Sequence, residues 1–149
     1  YAGFSFSPTN DLLFNFKKPM ERKGKGDWKY KTAAIATAGG AFGVALNEKY
    51  LQEATLVPIP PSKAKGDARY DDRVLQMLKL VQPKAKLDIR QLIVQLQSRD
   101  LAAHEGQRPG PAELEALYSI DEALVDPRPA RVGLFDDLLV TGAGFKAGR

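Results

Sequence analysis

Residues 54–59 read Ala-Thr-Leu-Val-Pro-Ile, a short, continuous and largely apolar run. A strand with no polar alternation must be covered on both faces, which is the situation of a strand inside a parallel sheet. Pro58, Pro60 and Pro61 remove ladder donors and stop the strand from running on. A second such run at 131–135, Arg-Val-Gly-Leu-Phe, ends abruptly in Asp136-Asp137. Between them, residues 70–81 carry Val74, Leu75, Leu78 and Val81 at helical spacing, and Asp71 and Asp72 suit the positive end of that helix. Leu92, Ile93, Val94 and Leu96 predict another buried element, strand or helix, and residues 113–118 predict a short helix. Strand, helix, strand, helix, strand in this order predicts an α/β fold with a parallel sheet and right-handed crossovers.

Upstream, Phe4 and Phe6 alternate as in a short strand, and Leu12, Leu13, Phe14 and Phe16 follow as a helical turn or two. The Lys-Gly stretch at 22–26 reads as a loop. Residues 31–50 predict a helix with Ile35, Ala38, Phe42, Ala45 and Leu46 on one face. Gly39, Gly40 and Gly43 weaken that helix but permit close approach to a sheet. Residues 62–69 form a polar loop. Residues 98–112 form a loop long enough for a functional lid.

At 149 residues the chain fits a single domain with a real core. No apolar run approaches the roughly 20 residues of a membrane span, and no signal-peptide pattern is present, so no membrane partner and a cytoplasmic location are expected. Zero cysteines exclude disulfides and thiolate chemistry, and His104, as the sole histidine, excludes a multi-histidine metal site. The chain is expected to be incomplete at its C-terminus, because it stops soon after a glycine-rich turn where an α/β chain would continue into a helix. The net charge of +4 is local: residues 17–31 hold seven basic residues and two acids, which leaves 15 basic against 16 acidic elsewhere. Phe16, Trp28 and Tyr30 are interleaved with those lysines, so a nucleic-acid reading stands beside that of a solvated loop.

The stretch 132–144 carries the chemistry: four mostly apolar residues, Asp136-Asp137, two apolar residues, then Val140-Thr141-Gly142-Ala143-Gly144. Small residues let backbone N–H groups converge on an anion, and a following helix N-terminus adds its dipole. Carboxylates there would repel a bare phosphate, so they must serve a neighbouring sugar or a Mg²⁺. Acids closing a strand have no core role, so both are expected to be dispensable to folding. The competing reading is an Asp-Asp helix cap before a tight turn.

This pattern resembles the PRPP-binding signature of type I phosphoribosyltransferases. The resemblance implies that Asp136 and Asp137 accept hydrogen bonds from the ribose 2′- and 3′-hydroxyls and meet Mg²⁺ indirectly, through those hydroxyls or water. It implies that the loop from Val140 to Gly144 wraps the 5′-phosphate. The family places Thr or Ser where Val140 and Gly144 stand, and each missing hydroxyl removes a bond worth on the order of 1 kcal/mol. Residues 56–63, Leu-Val-Pro-Ile-Pro-Pro-Ser-Lys, are similar to the strand and pyrophosphate loop that open the same fold, most closely in its ComF-like branch. By that likeness Ser62, Lys63, Lys65 and Arg69 are the pyrophosphate candidates, against the alternative of a solvated basic loop. Asp71 reads as a helix cap, and Arg73 is left open between cap and site. Arg99, His104 and Arg108 fall in the family's mobile loop, and residues 1–30 in its variable hood, with Trp28 as a candidate base contact.

The resemblance therefore implies a type I phosphoribosyltransferase-like, Rossmann-like parallel sheet flanked by helices, with a small N-terminal hood and a core over 54–145. The implied activity is Mg²⁺-dependent transfer of phosphoribosyl between PRPP and a nitrogenous base, releasing pyrophosphate, as a glycosyltransferase of nucleotide metabolism. The partners implied are PRPP, pyrophosphate and a nucleobase or nucleotide, with a homodimer open. Two alternatives stand: a non-catalytic module that senses PRPP or a nucleotide, and a ComF-like protein associated with DNA uptake or defence.

Overall fold

A computed structural model describes residues 7–81, 86–99, 110–137 and 146–148. The first helix, α1 (Pro8–Phe16), begins at Ser7, whose hydroxyl accepts the Asn10 N–H at 3.1 Å, with Pro8 in the first turn where its missing N–H costs nothing. The expected N-terminal helix is thus present, while the strand expected at Phe4 and Phe6 lies outside the described residues. After a 3-10 turn (Met20–Arg22), α2 spans Trp28–Ala45. The single helix expected over 31–50 is in fact two. Asn47 accepts the Tyr50 N–H and starts α3 (Glu48–Glu53), because asparagine is far better as a cap than inside a helix. Then follow β1 (Thr55–Pro58), α4 (Arg73–Lys79), β2 (Ile93–Gln95), α5 (Pro111–Glu115), β3 (Tyr118–Ile120), a 3-10 turn (Glu122–Leu124) and β4 (Val132–Phe135).

The fold is mixed α/β, with β1 and β4 paired in parallel. Leu56 pairs with Gly133, Val57 with Leu134, and Pro58 with Phe135. On the other side of β1, the Leu56 N–H donates to the Asp88 carbonyl at 2.7 Å and the Arg90 N–H to the Leu56 carbonyl at 3.0 Å, so the chain around Ile89 runs parallel beside it. The apolar element around Ile93 does not join this sheet as a further parallel strand. It is β2, paired antiparallel with β3. Tyr118, expected to end a helix, begins β3 instead, because α5 stops at Glu115. An antiparallel partner needs no helical crossover, and residues 118–120 suit a pleated surface better than a helix.

All four residues of β1 are buried, as its unalternating sequence requires. Leu56 and Phe135 point to one face, into a core with Phe16, Ile35, Leu51, Met77 and Leu78 from the helices. Val57 and Ile59 join a second core with Leu92 and Ile93, flanked by Leu134 and Tyr118. Each such side chain contributes about 1.5–3 kcal/mol on burial. Of the residues expected inward on α4, Val74, Leu78 and Val81 are buried, Leu75 is half-buried, and Met77 is also buried.

The glycines of α2 do allow a close approach, but to the end of α4 and not to a sheet. A Cβ on Gly43 would lie 2.1 Å from the Val81 carbonyl oxygen, and one on Gly39 would lie 2.8 Å from Leu80 Cβ, whereas Gly40 faces open space. No helix among the described residues is long and apolar enough to cross a membrane.

Candidate functional site

Because Pro58 and Phe135 are paired, the segments leaving β1 and β4 emerge side by side. Pro60-Pro61 and Asp136-Asp137 therefore open onto one cleft, closed on its far side by residues 70–75 at the start of α4 and by Gln91. A crevice outside the carboxyl ends of parallel strands is where open α/β sheets bind ligands.

The two acids are held differently. Asp137 lies on the helical side, its side chain only 9% exposed. Arg73 donates to its Oδ2 through Nε at 2.9 Å and through a terminal nitrogen, and Lys17 reaches its Oδ1 at 2.9 Å. Burial pushes the Asp137 carboxyl up, but the Arg73 and Lys17 charges and their hydrogen bonds outweigh it and hold the pKa below the ordinary carboxylate value. Asp136 has no ion-pair partner among the described residues; its Oδ1 accepts the Asp137 N–H at 2.7 Å. Burial raises its pKa, and the neighbouring Asp137 charge adds to the rise. One member of the pair is thus a fixed carboxylate and the other a carboxyl that resists ionisation. Against the expectation that strand-end acids have no structural partners, Asp137 neutralises a mostly buried arginine.

Behind Asp137 runs a chain of charges that sequence reasoning did not assemble. Arg73 also donates to Asp71 Oδ2 at 2.6 Å, and Lys31 donates to the same oxygen at 2.7 Å. Lys31 is buried, and its ammonium completes its bonds on the carbonyls of Phe16 at 3.0 Å and Lys18 at 2.8 Å. Burial draws the Lys31 pKa below the usual lysine value, against the opposing pull of Asp71. For Arg73 burial works against the charge, yet Asp137 and Asp71 overcome it and raise the pKa. The cap position of α4 is held by Asp72, not Asp71 as expected; Asp71, one residue earlier, accepts the Arg73 N–H at 3.2 Å and serves the ion pairs. One signal for Lys31 was legible: it lies in phase with Ile35, Ala38 and Phe42, so a lysine on that face needs a buried acceptor.

The basic segment at 17–31 is exposed over most of its length, and of its bases only Lys18 and Lys31 are buried. Lys17 and Lys31 join the acid cluster, and Lys18 and Arg22 pair with Asp27, so four of its seven bases are committed to internal ion pairs. Trp28 starts α2 and lies against Lys31, 5.5 Å from ring centre to ammonium, outside the cleft lining.

The residues assigned to pyrophosphate do not line the cleft either. The Lys63 ammonium donates to the Arg99 carbonyl at 2.7 Å, the Ser62 carbonyl accepts the Arg99 N–H at 2.7 Å, and the Ala64 N–H donates to the Ser98 hydroxyl at 3.0 Å. Arg69 pairs with Asp67 at 3.3 Å, and Lys65 is exposed. Asp67 is pulled down to about 2, first by the Arg69 backbone N–H, then by the Ser98 and Arg69 side chains. These contacts tie the 62–69 loop to the start of the long loop at 98–112. Val140, Thr141, Gly142, Ala143 and Gly144 lie outside the described residues, as do His104 and Arg108.

Among the described residues no group of three or more His, Asp or Glu side chains is placed to hold a metal ion. Asp137 is bonded to two cations, which leaves Asp136 as the member of the pair without an ion-pair partner among the described residues. Such a donor set fits a Mg²⁺ that arrives with ligand oxygens, the usual habit of this ion, and does not fit a resident metal centre. No family model matches the chain, and no curated protein and no solved structure is significantly similar to it.

Proposed function

We propose that the cleft binds PRPP with Mg²⁺ and that the protein is a type I phosphoribosyltransferase-like enzyme, moving phosphoribosyl between PRPP and a nitrogenous base. The observation that carries this reading is the position of Asp136-Asp137 at the carboxyl end of β4, beside the Pro60-Pro61 turn that ends β1. This chemistry needs a sugar-binding acid pair and a leaving-group loop at one cleft; the acid pair and the Pro60-Pro61 turn that leads into the 62–69 loop line this one, and that supports the reading. The run from residue 88 through β1 to β4 also agrees with a Rossmann-like parallel sheet over 54–145. In this reading Asp136 and Asp137 accept the ribose hydroxyls, and residues 140–144 hold the 5′-phosphate through backbone N–H groups. The bond from C1 to pyrophosphate loosens first, the ribose gains oxocarbenium character, and the base nitrogen attacks C1. Mg²⁺ bound with PRPP supplies neutralisation of the charge that develops on pyrophosphate. Asp137 is kept ionised by Arg73 and Lys17, and Arg73 holds its carboxylate in place as an acceptor for the hydroxyls.

One observation favours a second reading, a PRPP- or nucleotide-sensing module without turnover. Lys63 and Arg69 are engaged with Arg99 and Asp67 and lie off the cleft, so cationic support for a leaving pyrophosphate is thin. Calorimetry with PRPP and Mg²⁺, followed by pyrophosphate release with a panel of bases, separates the two. Binding with release is the enzyme's result, and binding without release is the sensor's. Absence of PRPP binding refutes both.

A further inference from the structure

Three cations surround Asp71 and Asp137, and they differ in freedom. Arg73 is clamped between both carboxylates, with Nε and one terminal nitrogen on Asp137 and the other on Asp71. Lys31 is buried and directs its ammonium at three acceptors. Lys17 alone is mobile in this sense: its side chain is 39% exposed, and among the described residues its ammonium meets only Asp137 Oδ1, at 2.9 Å. An ammonium carries three donors, so two of Lys17's have no partner among the described residues.

The backbone under Lys17 is as fixed as its side chain is free. The two carbonyls held by Lys31 belong to Phe16 and Lys18, the residues on either side of Lys17. A flexible four-carbon stem thus pivots on a pinned base at the edge of the acid pair. The oxygen that Lys17 occupies is also the one Arg73 leaves open, since both Arg73 bonds go to Oδ2. A sugar hydroxyl donating to Asp137 must therefore share or take Oδ1. Only the Lys17 end of this pair is open to solvent, and a phosphate is a stronger partner for a released ammonium than water is.

We propose that Lys17 is a phosphate-binding residue of this site, resting on Asp137 Oδ1 in the free protein and passing to the phosphate of a sugar phosphate when a sugar hydroxyl takes that oxygen. This rests on the reading of the cleft as a sugar-phosphate site.

The test uses the full chain and two probes that differ only in the phosphate: D-ribose and ribose 5-phosphate, titrated against the backbone amide signals of Asp136 and Asp137. Lys17→Met is expected to weaken ribose 5-phosphate about tenfold or more, the loss of one charge-assisted bond. The same variant is expected to leave ribose unchanged or bind it more tightly, because Oδ1 is vacated. Lys17→Arg is expected to restore most of the phosphate-dependent affinity. Equal weakening of both ligands, or no change in either, overturns the assignment of Lys17 while leaving the sugar-phosphate site standing. Failure of the unaltered protein to bind either probe at these amides overturns the sugar-phosphate reading itself, and Lys17's role with it.

Discussion

Changing Asp137 to Asn removes the charge that holds Arg73 and Lys17 while keeping the shape of the side chain and one acceptor oxygen. Arg73 is 20% exposed and Asp137 9%. Removing one partner of a buried pair costs about 3–5 kcal/mol, because the other charge is left uncompensated. Here Arg73 keeps Asp71 at 2.6 Å, and the Lys17 contact is exposed enough to add little. The expected loss is therefore about 2–3 kcal/mol, or roughly 5–10 °C in thermal midpoint for a chain of this size. Asp136→Asn is expected to do the opposite. Its Oδ1 still accepts the Asp137 N–H, and a buried carboxylate crowded by a second one is gone, so stability at neutral pH rises. The pH dependence follows with opposite signs. Asp137, with its folded pKa depressed, contributes stability above the unfolded carboxyl range near 4, and that contribution is lost as pH falls through the lower folded value. Asp136, with its folded pKa raised, imposes a cost that grows as pH climbs from the unfolded value through the folded one. Its Asn variant should thus lose its advantage below about pH 4. Urea unfolding of the three proteins at pH 7 and in mild acid measures this directly. Equal destabilisation by both substitutions, or a neutral Asp137→Asn, would refute the asymmetry.

Further outcomes are expected elsewhere in the molecule. Gly40→Ala should stabilise by up to about 1 kcal/mol through helix propensity, whereas Gly43→Ala should destabilise by about 1–3 kcal/mol because its Cβ meets a backbone oxygen that no rotamer change can move; equal unfolding midpoints would refute the helix contact. Under the transferase reading, changing Lys63 and Lys65 together to Ala should weaken PRPP about tenfold or more and spare ribose 5-phosphate, and equal losses by calorimetry at two salt concentrations would favour the sensor. Thr141→Ala should weaken ribose 5-phosphate several-fold without moving the thermal midpoint by more than a few degrees, and unchanged affinity would remove the 140–144 loop from the phosphate site.

The strands β1 and β4, the helix α4 and the acid pair were legible in the sequence, because each is written in a local code. An unbroken apolar run means burial on both faces, prolines end it, a 3.6 period marks a helix face, and two acids after a strand mark its carboxyl end. Of the site's cations only Lys31 left a local trace, its phase with the apolar face of its helix, and none of the pairings was legible. Lys31 meets Asp71 across 40 positions and Arg73 meets Asp137 across 64, and no local period encodes such pairs. Composition presented Lys17 and Lys31 as members of a solvated basic loop, and only the packing of α1 against α2 and of α2 against α4 turns them onto the acids. In the same way, the sequence showed that Gly43 could admit a neighbour but not that the neighbour is Val81. Around Ile93 the expected burial holds for Leu92 and Ile93 but not for Leu96, which is exposed, and the antiparallel pairing with β3 depends on which partner strand is within reach once the chain is folded. Periodicity and residue chemistry thus determined the elements and the acids, while tertiary structure decided which charges face them, since ion pairing depends on distance in space and sequence reports distance along the chain.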